Sequence, residues 1–339
     1  MLETVVIVAA FSLSWLITGA VTRHAMKVGL IDLPNVRSSH VVPTPRGGGI
    51  GIVVGICVAG LALAACGRLA WQVAALCAGA GGAVALIGYI DDRRGLPARV
   101  RFLVHMVAAA AVVALTWPWA GAMNDGWLGG AAFVVFWILA IGWLTNLYNF
   151  MDGIDGLAGS EAVFVFGGAA ALSFMTGSPS GWTALFLAMS LGVAGFLCWN
   201  WPPARIFMGD VGSGFLGFMV GSLALATWVD GVLSPFTWLV LVSLFVADAT
   251  VTLLRRFARR ERWYSAHRSH AYQWLSRTRL GHAGVTRLSW AWNIAVVLPA
   301  AWWTLASPEH AIVVTAAVLV VSFGLAAALG AGRRESPSS

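Results

Sequence analysis

The chain has 339 residues, 59% hydrophobic and only 10% charged, with 21 Lys and Arg against 14 Asp and Glu. A soluble domain carries roughly 25% charged residues, so the composition excludes an ordinary soluble protein and indicates an integral membrane one. The net charge of +7 invites a nucleic-acid reading, but inner loops of membrane proteins are basic in any case. No nucleic-acid motif appears, and no nucleic-acid partner is expected.

A helix of about 20 apolar residues crosses a bilayer. In chain order, such windows fall near 3–22, 47–66, 71–90, 102–118, 130–148, 160–176, 182–199, 212–228, 236–254, 288–305 and 311–330. They are continuously apolar and rich in Ala, Leu, Val and Gly, whereas barrel strands alternate. An all-α polytopic fold of about 10–11 spans is therefore expected. Arg23 and Lys27 follow the first window and no basic stretch precedes it, so it reads as a retained span with its N-terminus outside. In that topology every Lys and Arg except Arg68 lies on the inner side, as the positive-inside bias requires, and the C-terminus is cytoplasmic. One membrane domain is expected over 1–332, with inner loops near 23–46, 91–101, 149–159, 200–211 and 255–287, then a short tail, 333–339. The four cysteines lack metal-ligand spacing and read as packing residues.

Polar motifs gather at the inner ends of these windows. Asp91-Asp92 closes the third (GYIDDRRG). Adjacent carboxylates at a helix C-terminus repel each other and face the negative end of the dipole, so a positive partner is required. Arg93 and Arg94 can supply it locally; a divalent cation or metal-bound phosphate is the functional alternative. The run NLYNFMDGIDG follows the fifth window. In a helix, Asn146 and Asn149 would share a face, as would Asp152 and Asp155, while Gly153 and Gly156 would let a ligand approach the backbone. The run IFMGDVGS opens the eighth span. Asp210 there either caps the helix or joins Asn149 in offering hard oxygens to magnesium, which usually takes one or two protein carboxylates plus substrate phosphates.

The long inner loop brings His267, Arg268 and His270 within four residues, offering cationic or donor groups to a diphosphate. The first inner loop adds Arg37, His40 and Arg46, the last opening a Gly47-Gly48-Gly49 run that fits neither nucleotide-loop pattern. Asp248 is the one clear acid within a span. It reads as structural, paired with Arg255 or Arg256, since a buried carboxylate in lipid is costly.

Taken together, HVVPTPRGGG, GYIDD, NLYNFMDGIDGLAG, RIFMGDVGS and AHRSHAYQ resemble the polyprenyl-phosphate N-acetylhexosamine-1-phosphate transferases, which include the MraY and WecA groups. The motifs stand in the same order on the same loops and span nearly the whole chain. The resemblance implies transfer of a sugar-1-phosphate from a UDP-N-acetylaminosugar (UDP-GlcNAc, UDP-FucNAc, UDP-QuiNAc or similar) to undecaprenyl phosphate, releasing UMP. It implies magnesium, with manganese as a substitute, and an active site on the cytoplasmic face of the bacterial inner membrane among membrane lipids. Dimers are common in that family, so a homodimer is a further expectation.

By position, Asp91 and Asp92 match the pair of which one positions or deprotonates the lipid phosphate, and Asn149 and Asp210 match the metal positions. Asp91, Asp92 and Asp210 are thus the candidate catalytic residues. Asp152 and Asp155 match positions near uridine and sugar, and His267, Arg268 and His270 match the basic cluster facing the diphosphate. Arg46 and Asn146 complete the candidate substrate-binding set. Two departures stand out. No further acid follows Asp91-Asp92 in its motif, and the His-Arg-Ser-His loop lacks the triple histidine of the UDP-MurNAc-pentapeptide group. The second points toward enzymes that initiate O-antigen or capsule. The competing reading from another class is a transporter of an anionic nucleotide-sugar or lipid, which requires polar groups along a mid-span path. A CDP-alcohol phosphotransferase would show a long Asp-Gly-rich signature, which is missing here.

Overall fold

The structure is a computed structural model that describes residues 1–32, 42–116, 126–261 and 267–334. Arg37 and His40 lie outside those residues. Each of the eleven apolar windows contains helix among the described residues. Among the described residues, eight helices are long and apolar enough to span a membrane, or nine if a bent pair forms one span. They are α1 (Leu2–Val28), α3 (Trp71–Arg94), α4 (Ala98–Thr116), α5 (Gly126–Phe150), α6 (Leu157–Met175), α7 (Ser180–Asn200), α8 (Asp210–Val229) and α14 (Ala311–Ala328).

The shortfall from eleven has local causes. The second window is a 17-residue helix, α2 (Gly49–Ala65), shorter than a full crossing. The ninth is broken by 74° between α9 (Pro235–Leu241) and α10 (Ser243–Ala258). The tenth is divided into α12 (Gly281–Trp292), a π-helical stretch Asn293–Val297 and α13 (Leu298–Ala306), where Pro299 removes a helix donor. A short α11 (Ala271–Leu275) lies before them. Large apolar side chains such as Val5, Leu103, Phe136 and Val320 are more than half exposed, which suits a lipid-facing surface and not an aqueous one.

The core sits around α8, whose apolar stretch is 94% buried. It packs against α2, α3, α4, α5 and α9. Small residues make this possible, because tight crossings between membrane helices require backbones to approach. A β-carbon on Gly49 would lie 2.3 Å from Gly212 Cα, and one on Gly88 would lie 2.5 Å from the Asp210 carbonyl oxygen. Before α2, Ile31–Asp32 (β1) pairs antiparallel with Thr44–Pro45 (β2), Ile31 opposite Pro45. This short ladder brings the backbone of Arg46 onto the Leu30 carbonyl (3.0 Å).

These crossings bring the C-terminal ends of α3 and α5 and the start of α8 to one point. Gly49→Ala should lower the thermal unfolding midpoint of the detergent-purified protein, at a cost of about 1–3 kcal/mol, the usual range for overpacking. Gly82→Ala, at a helical glycine with nothing within 4 Å of the added carbon, should leave the midpoint in place.

Candidate active site

Asp92, near the C-terminal end of α3, is 8% exposed. Its carboxylate accepts the backbone N–H groups of Asp210 (3.1 Å) and Val211 (3.2 Å), so it caps α8 from a neighbouring helix. An anion is favoured there by the helix dipole and satisfies donors that α8 itself leaves unpaired. Arg46 Nη2 lies 2.8 Å from Asp92 Oδ1, and Arg46 Nη1 lies 3.7 Å from Asp32. Gly209 (φ +76°) brings the chain in close: a β-carbon there would lie 2.5 Å from Asp92 Oδ2.

Asp91 turns the other way. Its Oδ1 accepts the Leu96 N–H (2.5 Å) and its Oδ2 lies 2.5 Å from Arg101 Nη1. The same Arg101 nitrogen contacts Asp210 Oδ2. Asp210 Oδ1 accepts from Asn149 Nδ2 (2.9 Å), which also reaches Ser213 Oγ (3.0 Å). Asp91, Asp92, Asn149 and Asp210 therefore form one connected network, with Arg46 and Arg101 as its cations. The local partners Arg93 and Arg94 are not what offsets the aspartate pair; Arg101 and Arg46 are.

The second motif departs from its expected conformation. Helix α5 ends at Phe150, so Asn146 and Asn149 are helical while Asp152 and Asp155 lie in the turn that follows. The Asn146 amide donates to the Gly142 carbonyl within its own helix (2.7 Å). Asp155 Oδ2 accepts the Ala204 N–H (3.1 Å) and lies 3.2 Å from His282 Nδ1, so its carboxylate ties the turn to the 200–205 loop and to α12. The two glycines admit protein instead of ligand. A β-carbon on Gly153 would lie 2.2 Å from the Tyr272 hydroxyl, and one on Gly156 would lie 2.9 Å from Pro202. Asp152 is held well above the usual carboxylate range, first by burial and then by the nearby charges of Asp210, Asp92 and Asp155.

The histidine loop docks on the end of α5. Tyr272 Oη donates to the Phe150 carbonyl (2.9 Å), and the His270 ring lies between His267 and Tyr272, with centroids 4.9 and 5.5 Å away. Asp248 accepts the Ala271 (2.9 Å) and Tyr272 (3.0 Å) N–H groups and lies 3.4 Å from His270 Nδ1. It is structural as expected, but not through Arg255, which instead donates to the Ala327 and Ala331 carbonyls. His270 is 2% exposed and faces Asp248. Burial, with the positive charges of His270 and Arg256, pushes the half-buried His267 down to about 3, so it stands as a neutral donor or acceptor. Its Nδ1 lies 3.0 Å from Ser269 Oγ.

Sequence reasoning passed over several participants. Arg101 was one inner-loop charge among many, yet a cation in the first turn of α4 opposes the dipole and so calls for an acidic partner. His282 and Tyr272 carried no local signal. Glu161, a second acid within the apolar windows, is buried in α6 and accepts from Asn293 Nδ2 (2.7 Å).

A family model described as glycosyl transferase family 4 matches residues 73–228, a stretch that holds Asp91, Asp92, Asn149 and Asp210. A probable undecaprenyl-phosphate N-acetylglucosaminyl 1-phosphate transferase of Bacillus subtilis is 33% identical over 81% of this chain and 79% of its own length. The chain belongs to glycosyl transferase family 4. Within this family it is also similar to a decaprenyl-phosphate N-acetylglucosaminephosphotransferase of Mycolicibacterium smegmatis, 28% identical over 91% of the chain and 84% of the relative. An undecaprenyl-phosphate alpha-N-acetylglucosaminyl 1-phosphate transferase of Escherichia coli K12 is 28% identical over 75% and 71%. Such relatives place the chain in the MraY/WecA-like part of glycosyl transferase family 4.

Two substitutions test this geometry. Because Asp152 keeps its proton to higher pH when folded than when unfolded, the wild type loses stability as pH rises above the ordinary carboxylate range. Asp152→Asn should escape that loss, so its advantage in thermal midpoint over the wild type should grow from pH 4 upward. Asp248→Asn puts an amide against N–H donors and should cost about 1–3 kcal/mol, with hydrogen exchange accelerating at 270–275 before the rest of the chain.

Proposed function

We propose that this protein transfers an N-acetylaminosugar-1-phosphate from a UDP-sugar to undecaprenyl phosphate, releasing UMP. The reaction would take place at the cytoplasmic face of the bacterial inner membrane and initiate lipid-linked O-antigen or another surface polysaccharide. The observation that carries the reading is the convergence of Asp91, Asp92, Asn149 and Asp210 at one end of the helices, with Arg46 and Arg101 beside them. That arrangement occurs in a family whose named relatives act on polyprenyl phosphates. The relatives' names favour GlcNAc as the amino sugar, with FucNAc and QuiNAc donors as the comparison. The charge bias of the loops supports the cytoplasmic assignment.

The donor set suits magnesium. Asp91 and Asp210 already face a shared cationic nitrogen, and the network offers hard carboxylate and amide oxygens. Among the described residues no group of three or more His, Cys, Asp or Glu is placed to hold a metal, in keeping with a site that substrate phosphates complete. Asp210 and Asn149 would hold the ion, with manganese as a substitute. When bound, it neutralises charge on the phosphate oxygens.

A lipid phosphate oxygen attacks the β-phosphorus of the UDP-sugar; the new P–O bond forms as the bond to the bridging oxygen breaks, and that oxygen leaves with its electron pair on UMP. Arg46 and Arg268 hold phosphate oxygens, and His267 and His270 limit the pocket beside them. Asp91 orients the acceptor phosphate, which is already largely ionised near neutral pH, so positioning outweighs proton removal. An apolar cavity of about 290 Å³ lies beside the histidine loop, lined by Met151, Leu157, Tyr272, Trp292 and Leu325. Its chemistry suits the isoprenoid chain.

The test is UMP release by the purified full chain given undecaprenyl phosphate and a panel of UDP-N-acetylaminosugars. Turnover should be highest with UDP-GlcNAc, require a divalent cation, and fall by about 100-fold or more in Asp210→Ala, as when a group that stabilises transition-state charge is removed. Silence with every donor sinks the transferase reading, and movement of donor across vesicles without UMP would establish the transporter instead.

A further inference from the structure

We propose that Arg101 and the divalent metal compete for the Asp210 carboxylate. Arg101 holds Asp91 and Asp210 together, gives up Asp210 when the metal binds there with Asn149, and then moves onto the phosphate of the acceptor lipid. The inference rests on the metal reading given above.

Three observations carry it. First, a single nitrogen, Arg101 Nη1, contacts both Asp91 Oδ2 and Asp210 Oδ2. An arginine committed to one carboxylate pairs with it fork to fork through two nitrogens. Here the guanidinium behaves as a point charge between two acids from different helices, the arrangement of oxygens a metal ion seeks. Secondly, nothing in its own helix favours it there. Arg101 lies in the first turn of α4, whose N-terminus is already positive, so the acids hold it in place and a cation of higher charge can compete for them. Thirdly, its side chain is 30% exposed, so it has room to leave. Arg46 differs. It engages Asp92, whose side chain is 1% exposed and already committed to the α8 backbone, and so it remains during the exchange.

Once displaced, a guanidinium next to an arriving phosphate meets the planar, bidentate partner it binds best. Metal and acceptor therefore help each other bind, since each relieves a cost borne by the other, and the coupling is reciprocal. Arg101 is on this account a positioning residue as well as a phosphate ligand.

The experiment measures Mn2+ affinity by electron paramagnetic resonance on the purified full chain, with and without undecaprenyl phosphate. Wild type, Arg101→Gln and Arg101→Lys are compared, and each thermal midpoint is recorded without metal. Wild-type affinity should rise about tenfold when the lipid is present, within the usual range of coupling between two sites. Arg101→Gln should bind Mn2+ more tightly than wild type without lipid, lose most of the lipid-dependent gain, melt lower without metal and regain the difference when Mn2+ is added. Arg101→Lys, which keeps a cation, should fall between them. Equal affinity in all three proteins, or a wild-type affinity indifferent to lipid, overturns the exchange while leaving the metal site standing. If none of the three binds Mn2+ under either condition, the metal reading and the exchange fall together, whereas UMP release would still test the transferase reading by itself.

Discussion

Asp92 accepts two backbone N–H groups at the head of α8 and the guanidinium of Arg46, and this one carboxylate joins three parts of the chain. It ends α3, starts α8 and fixes the strand-paired entry to α2. Because α8 is the buried axis of the fold, its start sets where Asp210 stands, and Asp210 in turn locates Asn149 and Arg101. Placing a charge so deep is tolerable only because every contact it makes answers an unpaired helix donor or a cation. Loss of activity on changing Asp92 would therefore report a disassembled site before it reported a missing base.

Much of this was legible in the sequence, for a physical reason. In a chain this apolar a cluster of acids must sit at a span end, so Asp91-Asp92, Asn149 and Asp210 were found by position alone. The number of helices was legible as windows, but not their continuity: a 74° break and a π-helical stretch leave the hydropathy unchanged. Arg101 was hidden because one arginine among many on a basic rim gives no hint of which one pairs with acids. The partners of Asp155 were equally hidden. An Asp-Gly turn has the look of a ligand loop, yet its carboxylate is taken up by Ala204 and His282, partners that lie about 50 and 130 positions away and that no local pattern could supply.

The intramembrane acids bear on the competing class of function. Transport demands ionisable groups that can change partner along a path. Asp248 is instead fixed by two N–H groups and Thr252, and Glu161 is bonded to Asn293. Asp248 satisfies backbone donors at the start of α11, and Glu161 pins the Asn293 side chain at the head of a π-helical stretch. Membrane helices that break their own hydrogen bonding need such internal partners, and that is a structural use of polarity.

Gly153 has the widest reach of the small residues. Its missing side chain leaves the space that the Tyr272 hydroxyl fills on its way to the Phe150 carbonyl. The end of α5 and the histidine loop thus meet with no spacer between them, although some 120 residues of chain separate them. The spacing of α5 and the histidine loop is set there, by one side-chain hydroxyl on one backbone carbonyl. Any side chain at position 153 would push the two apart.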